Sequence, residues 1–376
     1  MEDINEKRLE ILRKKLREAG ISSYLVTSDE NIFYLTGFYG KDSGSILVIT
    51  PSDAFLMVHF VHAGNAEQSV KKSNIEVERF TTGKINILSK ILEDNKIKKT
   101  CIEGNNVSYD FYAAIEKELE QKNIKFENRP GIVESMRIKK DSSEISAIKK
   151  ACSITQKAFK AVSNMDKEKL FSLTQRGLAF DIEGSMIEQG SEGKSFDLIV
   201  APNSSAALPH YEPSRKKITC GLLLLDIGCR YNNYCSDMTR TIFISDNGEK
   251  NLKTAGISKM MKIYDIVLQA QALALKACRA GITCRELDLV ARKFIEDKGF
   301  GKQFGHGLGH GAGLQIHELP TVSFSEDKVL QDGMVITIEP GIYLDGIGGV
   351  RIEDMVIVKD GGYENMYNDD KSLLII

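Results

Sequence analysis

The segment FGHGLGHGAGLQIHE, residues 304–318, interleaves His306, His310 and His317 with five glycines. Glycine weakens helices, so this composition argues against a simple helix and permits a backbone that comes close to a ligand. The chain has only six histidines, and three of them fall in this one segment. The segment is therefore a candidate binding site, and a glycine loop with solvated histidines is the alternative interpretation.

Two aspartates follow or open apolar stretches upstream of this segment. Asp226 comes directly after the run Leu222–Leu225, and Asp237 opens the stretch DMTRTIFI. The turn residues 230–233 lie between them, so two strands joined by a turn can bring both acids side by side. A buried acid at a strand end is costly unless it is paired, hydrogen-bonded or bound to a metal.

Two glutamates downstream follow the same pattern. Glu339 ends the apolar stretch 334–339, and Glu353 lies within a predicted strand at 350–358. Arg351 is two residues before Glu353, so both side chains are expected on one face of that strand, where the arginine would keep the glutamate ionised. Taken singly, each glutamate also fits a structural salt bridge.

Together, these acids and the histidine cluster predict a metal centre. Carboxylates repel one another at close range, and divalent cations remove that repulsion. Carboxylates with one imidazole suit Mn²⁺, Co²⁺, Fe²⁺ or Zn²⁺. Two such ions can activate water and polarise a carbonyl group, which is hydrolytic chemistry. The candidate ligands are Asp226, Asp237, Glu339 and Glu353, together with a histidine of the segment 304–318.

The chain is organised in two parts. Before residue 125, helix-like and strand-like patterns alternate, which predicts an α/β layer with a parallel or mixed sheet. Pro130-Gly131 marks the boundary, giving domains at 1–129 and 130–376, the second of α+β class. Helices are predicted at 4–19, 84–94, 109–121, 142–164, 250–279 and 285–298, and strands at 23–27, 44–50, 54–60, 99–103, 124–128, 196–201, 222–228, 238–244, 334–339 and 350–358.

The composition narrows the partners and the compartment. The net charge is -2 and the pI is about 6.4, which is unlike the basic surface of a nucleic-acid binder. Seven scattered cysteines without a C-x-x-C pair favour a reducing compartment. The N-terminus lacks the apolar core of a signal peptide, and no apolar run is long enough to span a bilayer. We therefore expect a cytoplasmic protein without membrane or nucleic-acid partners.

Four segments resemble the metal-binding motifs of the pita-bread metallopeptidases, a family that includes methionine aminopeptidase, aminopeptidase P and prolidase. The segments are DIGCRYNNYCSDMTRT (226–241), GHGLGHGAGLQIHE (305–318), TIEPGIY (337–343) and VRIED (350–354). They carry the family's ligands in its order, Asp, Asp, His, Glu, Glu. The resemblance implies that Asp226, His310 and Glu339 each serve one metal, while Asp237 and Glu353 bridge both.

The resemblance also implies residues around the metals. His210, in SFDLIVAPNSSAALPHY (195–211), matches a histidine that lines the substrate pocket, and His317 matches one that contacts the scissile peptide. His306 matches a pocket histidine of the proline-specific branch. Arg351 matches a supporting arginine, and Tyr343 is a weaker candidate for the same role.

The N-terminal part chooses a branch of the family. TSDENIFYLTGFYG (27–40) resembles the start of the domain that aminopeptidase P, prolidase and creatinase carry before the catalytic half. The implied fold is a C-terminal pita-bread domain preceded by a smaller α/β creatinase-like domain. One departure is FLMVHFVHAGNAEQS (55–69), where His59 and His62 replace the charged residues of relatives. Two isolated histidines in a strand favour a structural role over a metal site.

The implied activity is that of an exopeptidase that hydrolyses the bond between an N-terminal residue and a following proline. Two divalent ions, Mn²⁺ first and Co²⁺, Zn²⁺ or Fe²⁺ as alternatives, would be the cofactors. By resemblance, Glu339 also acts as general base, and His210 and His317 steady the developing oxyanion. The partners implied are a peptide with proline second and another copy of the chain in a homodimer.

Two other functions are compatible with the fold. A creatinase-type amidinohydrolase needs no metal, but its relatives have lost ligand residues that are all present here. A non-catalytic binding module would show an eroded metal site and charged tails, and this sequence shows neither. The length of the accepted peptide, dipeptide or longer, stays open at this point.

Overall fold

The computed structural model describes residues 4–41, 43–245 and 255–376, and it divides the chain into two compact units. The first unit ends at Arg137 and the second begins at Ile138. The sequence-based boundary at residue 130 lies just before a short helix, Ile132–Arg137, that the structure keeps with the first unit. Within the described part of the chain, no helix combines the length and apolarity needed to cross a membrane.

The first unit is a six-stranded sheet with helices. Its helices are α1 (Ile4–Glu18), α2 (Asp29–Thr36), α3 (Ala63–Val70), α4 (Lys84–Asp94), α5 (Tyr109–Gln121) and α6 (Ile132–Arg137), and its strands are β1 (Tyr24–Val26), β2 (Ile46–Ile49), β3 (Ala54–His59), β4 (Glu76–Phe80), β5 (Lys99–Ile102) and β6 (Lys125–Asn128). The strand order is β4-β3-β2-β1-β5-β6. Since β1 runs antiparallel to β2 and parallel to β5, the sheet is mixed, and the expected α/β layer is confirmed.

The second unit contains longer helices and several small sheets. Its helices are α7 (Ser142–Ser163), α8 (Lys167–Ser172), α9 (Gln175–Glu188), α10 (Ala255–Ala277) and α11 (Cys284–Asp297). Its strands are β7 (Gly193–Lys194), β8 (Ile199–Pro202), β9 (Gly221–Ile227), β10 (Cys229–Tyr231), β11 (Tyr234–Cys235), β12 (Met238–Ile244), β13 (Gly309–Gly311), β14 (Glu318–Val322), β15 (Val335–Ile338), β16 (Gly341–Leu344), β17 (Gly348–Arg351), β18 (Asp354–Lys359) and β19 (Gly362–Asn365).

Helix starts in the second unit follow their sequence signals. Asp141 caps α7 by accepting from the backbone of Glu144 at 3.0 Å, and Glu144 Oε2 accepts from the backbone of Asp141 at 2.9 Å. Thr283 and Glu286 form the same capping box on α11. The predicted helix 250–279 is observed as α10 from Ala255 onward, and its first residues, 250–254, lie outside the described residues.

Two sheets hold the residues of the predicted site. One has the order β12-β9-β8, and the other has the order β14-β13-β15-β18-β19. Apolar side chains of α10 and α11 pack with strands of both sheets in one buried core, which includes Val267, Leu287, Leu224 and Ile336. The helices thus pack against the strands that carry the acids, and the predicted α+β class is confirmed.

The strand predicted at 350–358 is wrong as a single element. Residues Gly348–Arg351 pair with β16, whereas Asp354–Lys359 pair with β15 and β19. Between them, the backbone N–H of Glu353 donates to the carbonyl of Thr239 at 3.1 Å. The chain changes sheets at Glu353 because its hydrogen-bond partner changes there, and the apolar residues on both sides hide that change in the sequence.

Candidate metal centre

The two aspartates lie at the same end of an antiparallel strand pair. Asp226 is the penultimate residue of β9, and Asp237 directly precedes β12. In the register of these strands, Asp226 lies opposite Thr239, two residues beyond Asp237. The connection between them is longer than a simple turn, since it contains the short strands β10 and β11.

The backbone of Asp237 is hydrogen-bonded through both its N–H and its carbonyl. Its N–H donates to Met355 Sδ at 3.1 Å, and its carbonyl accepts from the Tyr367 hydroxyl at 2.6 Å. Asp237 is 5% exposed, so these contacts fix a buried residue. Neither partner could be recognised from the sequence.

His310 occupies the middle of β13, with a glycine on each side. A Cβ added at Gly309 would lie 2.1 Å from the Thr337 carbonyl oxygen, and one at Gly311 would lie 2.3 Å from that of Leu319. Neither position can hold a side chain without moving backbone. The glycines therefore let β14 and β15 close around the histidine, which explains their place in the segment.

The ring of His310 has a defined orientation. Its Nδ1 lies 3.0 Å from the carbonyl oxygen of Gly311, which can only accept a hydrogen bond, so Nδ1 carries the proton. Its Nε2 lies 3.3 Å from Glu339 Oε1 and 3.6 Å from Asp237 Oδ2. Nε2 is thus the nitrogen that faces the carboxylates; in the metal-free protein a proton on Nε2 can bond to Glu339, and a bound metal ion would take the place of that proton.

The structure brings four carboxylates and His310 to one place. Glu339 directly follows β15, and Glu353 directly precedes β18, whose pairing sets Ile338 opposite Asp354. Ligand atoms of Asp237, His310 and Glu353 lie within 4.8 Å of one another. Among the residues described, they are the one group of this kind that could hold a metal ion.

The electrostatics of this cluster call for added positive charge. Burial and the charges of Glu353 and Asp226 hold the pKa of Asp237 well above its usual range. Burial, Glu339 and Asp226 raise the pKa of Glu353 in the same way. Both acids therefore resist ionisation in the metal-free protein, and a divalent cation would favour their ionised forms.

Glu339 and His310 form the opposite case. Burial alone would raise the pKa of Glu339, but the hydrogen bond and charge of His310 lower it to about 2. Burial acts against protonation of His310, yet the hydrogen bond and charge of Glu339 raise its pKa above the ordinary value. In the metal-free protein, the imidazole thus does part of what a cation would do.

One further observation supports a metal. Asp226 Oδ2 accepts from Arg351 Nη2 at 2.6 Å, whereas its Oδ1 is buried and has no hydrogen-bond partner among the described residues. A buried carboxylate oxygen without a partner is unfavourable unless a cation takes that position. The residues present therefore fit a metal centre of the predicted composition.

Arg351 links Asp226 to the histidine segment. Its Nη1 donates to the Tyr343 hydroxyl at 2.8 Å, and that hydroxyl lies 3.0 Å from His306 Nε2. The other ring nitrogen of His306 lies 2.8 Å from the Gly307 carbonyl, so both nitrogens have protein partners. Burial lowers the pKa of His306, which favours its neutral form. Arg351 and Tyr343 therefore support the site from the side of Asp226.

His317 and His210 are exposed side chains beside the cluster. The ring centroid of His317 lies 4.3 Å from that of His310, with the ring planes at 68°. Burial of part of the ring, and the charge of His310, lower the pKa of His317, and His210 contributes in the same direction. Both histidines are thus placed where an incoming molecule can reach them.

The histidines of the first unit are arranged differently. His59 ends β3, and its ring centroid lies 5.6 Å from that of Phe80 and 4.8 Å from that of Phe60. His62 lies in the short 3-10 helix that follows and is half-buried. Among the described residues, neither belongs to a potential metal-binding group, and the structural role stays a prediction.

Sequence reasoning missed two residues of the site, Thr239 and Thr337. Both are fully buried, and each hydroxyl donates to a predicted ligand, Glu353 and Glu339 respectively. Their spacing was a usable signal. Thr239 is two residues from Asp237 and Thr337 is two from Glu339, so a strand would place each pair on one face.

Comparisons with known proteins agree with this site. The profile of metallopeptidase family M24 matches residues 146–360, and that of the creatinase/prolidase N-terminal domain matches residues 8–139. The chain is 38% identical to an Xaa-Pro dipeptidase of Pyrococcus horikoshii over 100% of both chains. It is 36% identical to an Xaa-Pro dipeptidase of Pyrococcus furiosus, over 98% of this chain and 100% of the relative.

Solved structures extend the likeness to three dimensions. An Xaa-Pro dipeptidase from Bacillus anthracis superposes with a TM-score of 0.88 at 34% identity, covering 99% of this chain and 100% of the other. An X-Pro aminopeptidase from Thermotoga maritima superposes with a TM-score of 0.85 at 34% identity, covering 98% and 99%. The matches span both units and the whole of the candidate centre.

Proposed function

The chain belongs to metallopeptidase family M24, and on that premise we propose that it removes an N-terminal residue that precedes proline. The observation that carries the proposal is the cluster of four carboxylates and His310. In this cluster the pKa values of the buried Asp237 and Glu353 are raised, and Asp226 Oδ1 is buried without a hydrogen-bond partner among the described residues. The retained ligands speak against a metal-free amidinohydrolase and against a non-catalytic binding protein, and the dipeptidase relatives favour the peptidase.

Members of this family are metallopeptidases, and we propose two divalent ions in this chain, with Mn²⁺ as the first candidate. Asp226, Asp237, His310, Glu339 and Glu353 are the residues that would hold these ions. When bound, such ions supply Lewis acidity and lower the pKa of water.

The side chains around the ions would handle the substrate and its protons. Glu339 would take a proton from the attacking water and pass it to the leaving amine, the role of a general base and acid. His317 has a lowered pKa and so is neutral near pH 7, where its ring N–H can donate to the scissile carbonyl oxygen. His210 would assist from the same exposed side, and Arg351 would hold Asp226 in place.

Substrate length separates two candidate activities. The dipeptidase relatives from two Pyrococcus species and from Bacillus anthracis favour an Xaa-Pro dipeptidase as the first candidate. The X-Pro aminopeptidase from Thermotoga maritima, at the same 34% identity, favours activity on longer peptides as the second. His306 would line either pocket with the carbon edge of its ring, since both its nitrogens are engaged.

The test is release of the first residue from a matched set of peptides. Purified protein with Mn²⁺ or Co²⁺ is incubated with Met-Pro, Met-Pro-Gly and Met-Ala. Cleavage of Met-Pro alone assigns a dipeptidase, cleavage of Met-Pro and Met-Pro-Gly assigns an aminopeptidase, and failure on both proline peptides refutes the proposal. Glu353→Ala serves as the control, and we expect this variant to fold but neither to bind metal nor to cleave the peptides.

We also propose a homodimer and a cytoplasmic location. The family resemblance supports the homodimer, and sedimentation equilibrium at several protein concentrations tests it. The described residues contain no disulfide, which suits a reducing compartment. A protein that is found only in the extracellular fraction of its cells would contradict the second proposal.

A further inference from the structure

Thr239 connects three parts of the centre through one hydroxyl and one carbonyl. Its Oγ1 lies 2.8 Å from Glu353 Oε2 and 3.0 Å from Arg351 Nε. Its carbonyl oxygen accepts from the backbone N–H of Glu353 at 3.1 Å and from Arg240 Nη1 at 2.9 Å. The residue is 0% exposed, so protein groups alone determine these contacts.

Thr337 repeats this arrangement on the other sheet. Its Oγ1 accepts from the backbone N–H of His310 at 3.0 Å and lies 3.1 Å from Glu339 Oε1. It too is 0% exposed. A Cβ at Gly309 would lie 2.7 Å from this hydroxyl, so the glycine is what lets the threonine come so close to β13.

The direction of each hydroxyl proton follows from its partners. The Arg351 Nε–H and the His310 backbone N–H can only donate, so each threonine oxygen accepts there. A hydroxyl has one proton, and the remaining partner of Thr239 is Glu353, while that of Thr337 is Glu339. Each threonine therefore directs its single O–H at one carboxylate oxygen of a proposed metal ligand.

A buried ion-pair network holds the backbone of Thr239 next to that of Glu353. Arg240, 3% exposed, donates from Nη2 to Asp354 Oδ1 at 2.8 Å and from Nε to Asp369 Oδ2 at 2.7 Å. The same guanidinium donates from Nη1 to the carbonyls of Thr239 and Glu353. Because one guanidinium binds the backbones of both Thr239 and Glu353, the two residues keep a fixed separation, which keeps the hydroxyl within reach of the carboxylate.

We propose that Thr239 and Thr337 are positioning residues, whose hydroxyls fix the rotation of the Glu353 and Glu339 carboxylates and so set the affinity of the centre for metal. The inference rests on the proposed function. The terminal torsion of a glutamate is broad, so a carboxylate without such a donor samples many orientations. Loss of groups that orient metal ligands weakens metal binding or activity by about 10–100-fold.

The experiment replaces each hydroxyl with a methyl group of similar size, in Thr239→Val and Thr337→Val. Thr239→Ser restores the hydroxyl as a rescue. Thr241→Val is the matched control, because Thr241 lies on the same strand, is 1% exposed, and among the described residues its hydroxyl bonds to the backbone of Arg351, at 3.0 and 3.3 Å, and to no proposed ligand. Mn²⁺ is titrated into each metal-free protein by calorimetry, and Co²⁺ is added for its visible absorption spectrum.

We expect both valine variants to bind Mn²⁺ about 10–100-fold more weakly, with a changed Co²⁺ spectrum and a lower kcat at similar KM. Thr239→Ser should return towards wild type, and Thr241→Val should bind Mn²⁺ like wild type. Folding of each metal-free variant is checked by circular dichroism. If Thr239→Val does not fold, Thr239→Ala and Thr337→Val carry the same expectation.

The outcomes separate this inference from the proposed function. A wild-type protein that binds Mn²⁺ and cleaves Xaa-Pro peptides, with valine variants that bind Mn²⁺ equally well, overturns the positioning role and leaves the function standing. Equal losses in Thr241→Val also overturn it, since the cause would then be repacking of the strand. A wild-type protein that neither binds Mn²⁺ nor cleaves refutes the function itself.

Discussion

At the scale of single residues, Arg351 is an important positively charged neighbour of the acids in the centre. The guanidinium of Arg351 contacts Asp226, Thr239 and Tyr343 at the same time. A planar group with several donors can meet three partners at once, whereas an ammonium on a flexible stem cannot.

We therefore predict that Arg351→Lys lowers kcat/KM by at least about 100-fold, equivalent to about 2.7 kcal/mol of transition-state stabilisation. Tyr343→Phe removes only one of the three contacts and should cost less. Steady-state kinetics on a proline dipeptide measure both. Equal activity of Arg351→Lys and wild type would show that the positive charge alone matters, and that the planar geometry of the guanidinium does not.

The raised pKa values of Asp237 and Glu353 predict how the metal-free protein responds to pH. A carboxyl whose pKa is higher in the folded state binds its proton more tightly there, so its contribution to stability is lost as pH rises above about 4. Glu353→Gln removes one of these groups and retains an acceptor for the Thr239 hydroxyl.

Metal-free Glu353→Gln should thus have a higher Tm than metal-free wild type at pH 8, and the gap should shrink towards pH 4. Calorimetric melting in the presence of a chelator, across that range, measures it. Glu364→Gln is the control, because this glutamate is exposed and pairs with Lys149 at the surface. A gap that widens on acidification would contradict the assigned direction of the pKa shift.

The sequence predicted the site at this scale because ligands come in recognisable types. Asp226, Asp237 and His310 lie next to apolar runs or glycines, where a polar side chain is unfavourable unless it has a binding partner. Thr239 and Thr337 escaped notice because a threonine in a strand is ordinary, and only the hydroxyl's partners reveal its role.

At the scale of elements, α11 holds the histidine segment from behind. Asp288, which is 0% exposed, pairs with Arg292 at 2.6 Å and accepts from the backbone N–H of Leu308 at 2.9 Å. Arg292 donates to the carbonyls of Phe304 and His306 at 3.0 and 2.7 Å. One ion pair on one helix turn therefore satisfies the backbone of the loop that leads to His310.

Asp288→Asn should destabilise the protein by about 3–5 kcal/mol, since it leaves the partly buried Arg292 without its counter-charge. The control is Arg285→Met on the same helix, whose partner Asp327 is 72% exposed, and which should cost about 0–1 kcal/mol. Urea unfolding followed by circular dichroism compares the two variants. Similar losses in both would mean that burial of the Asp288 pair adds nothing.

Element prediction succeeded where one pattern ran through one element. Helices α4 and α5 begin and end at the predicted residues. Helix α9 was missed because Gly177 and Gly184 interrupt its pattern, although Thr174 caps it by accepting from the backbone of Gly177 at 3.0 Å. Such a cap is a weak signal when the residues that follow are poor helix formers.

At the scale of the whole molecule, every proposed ligand lies in the second compact unit. Metal binding stabilises a fold by about 2.7 kcal/mol when the free ion is at a hundred times its Kd, and the gain belongs to the part that binds. The six-stranded sheet of the first unit contributes no proposed ligand.

Hydrogen exchange with and without Mn²⁺ should therefore show added protection in β9, β12, β13, β15 and β18. The strands β1 to β6 serve as the internal reference and should change little. Peptide-level mass spectrometry resolves the two sets in one sample. Protection spread equally over both units would contradict a metal centre confined to the second.

The glycines beside His310 have a consequence for inherited variation in this gene. Any missense change at Gly309 or Gly311 adds a Cβ that would meet backbone oxygen at 2.1 or 2.3 Å, whereas one at Gly305 would meet nothing within 4 Å. Saturation mutagenesis under selection for peptide use should thus leave codons 309 and 311 almost unvaried and codon 305 freely diversified. Alanine accepted at codon 309 as readily as at 305 would overturn this expectation. If the expectation holds, His310 is conserved because the site needs its imidazole, and Gly309 and Gly311 are conserved because any side chain there would collide with the backbone.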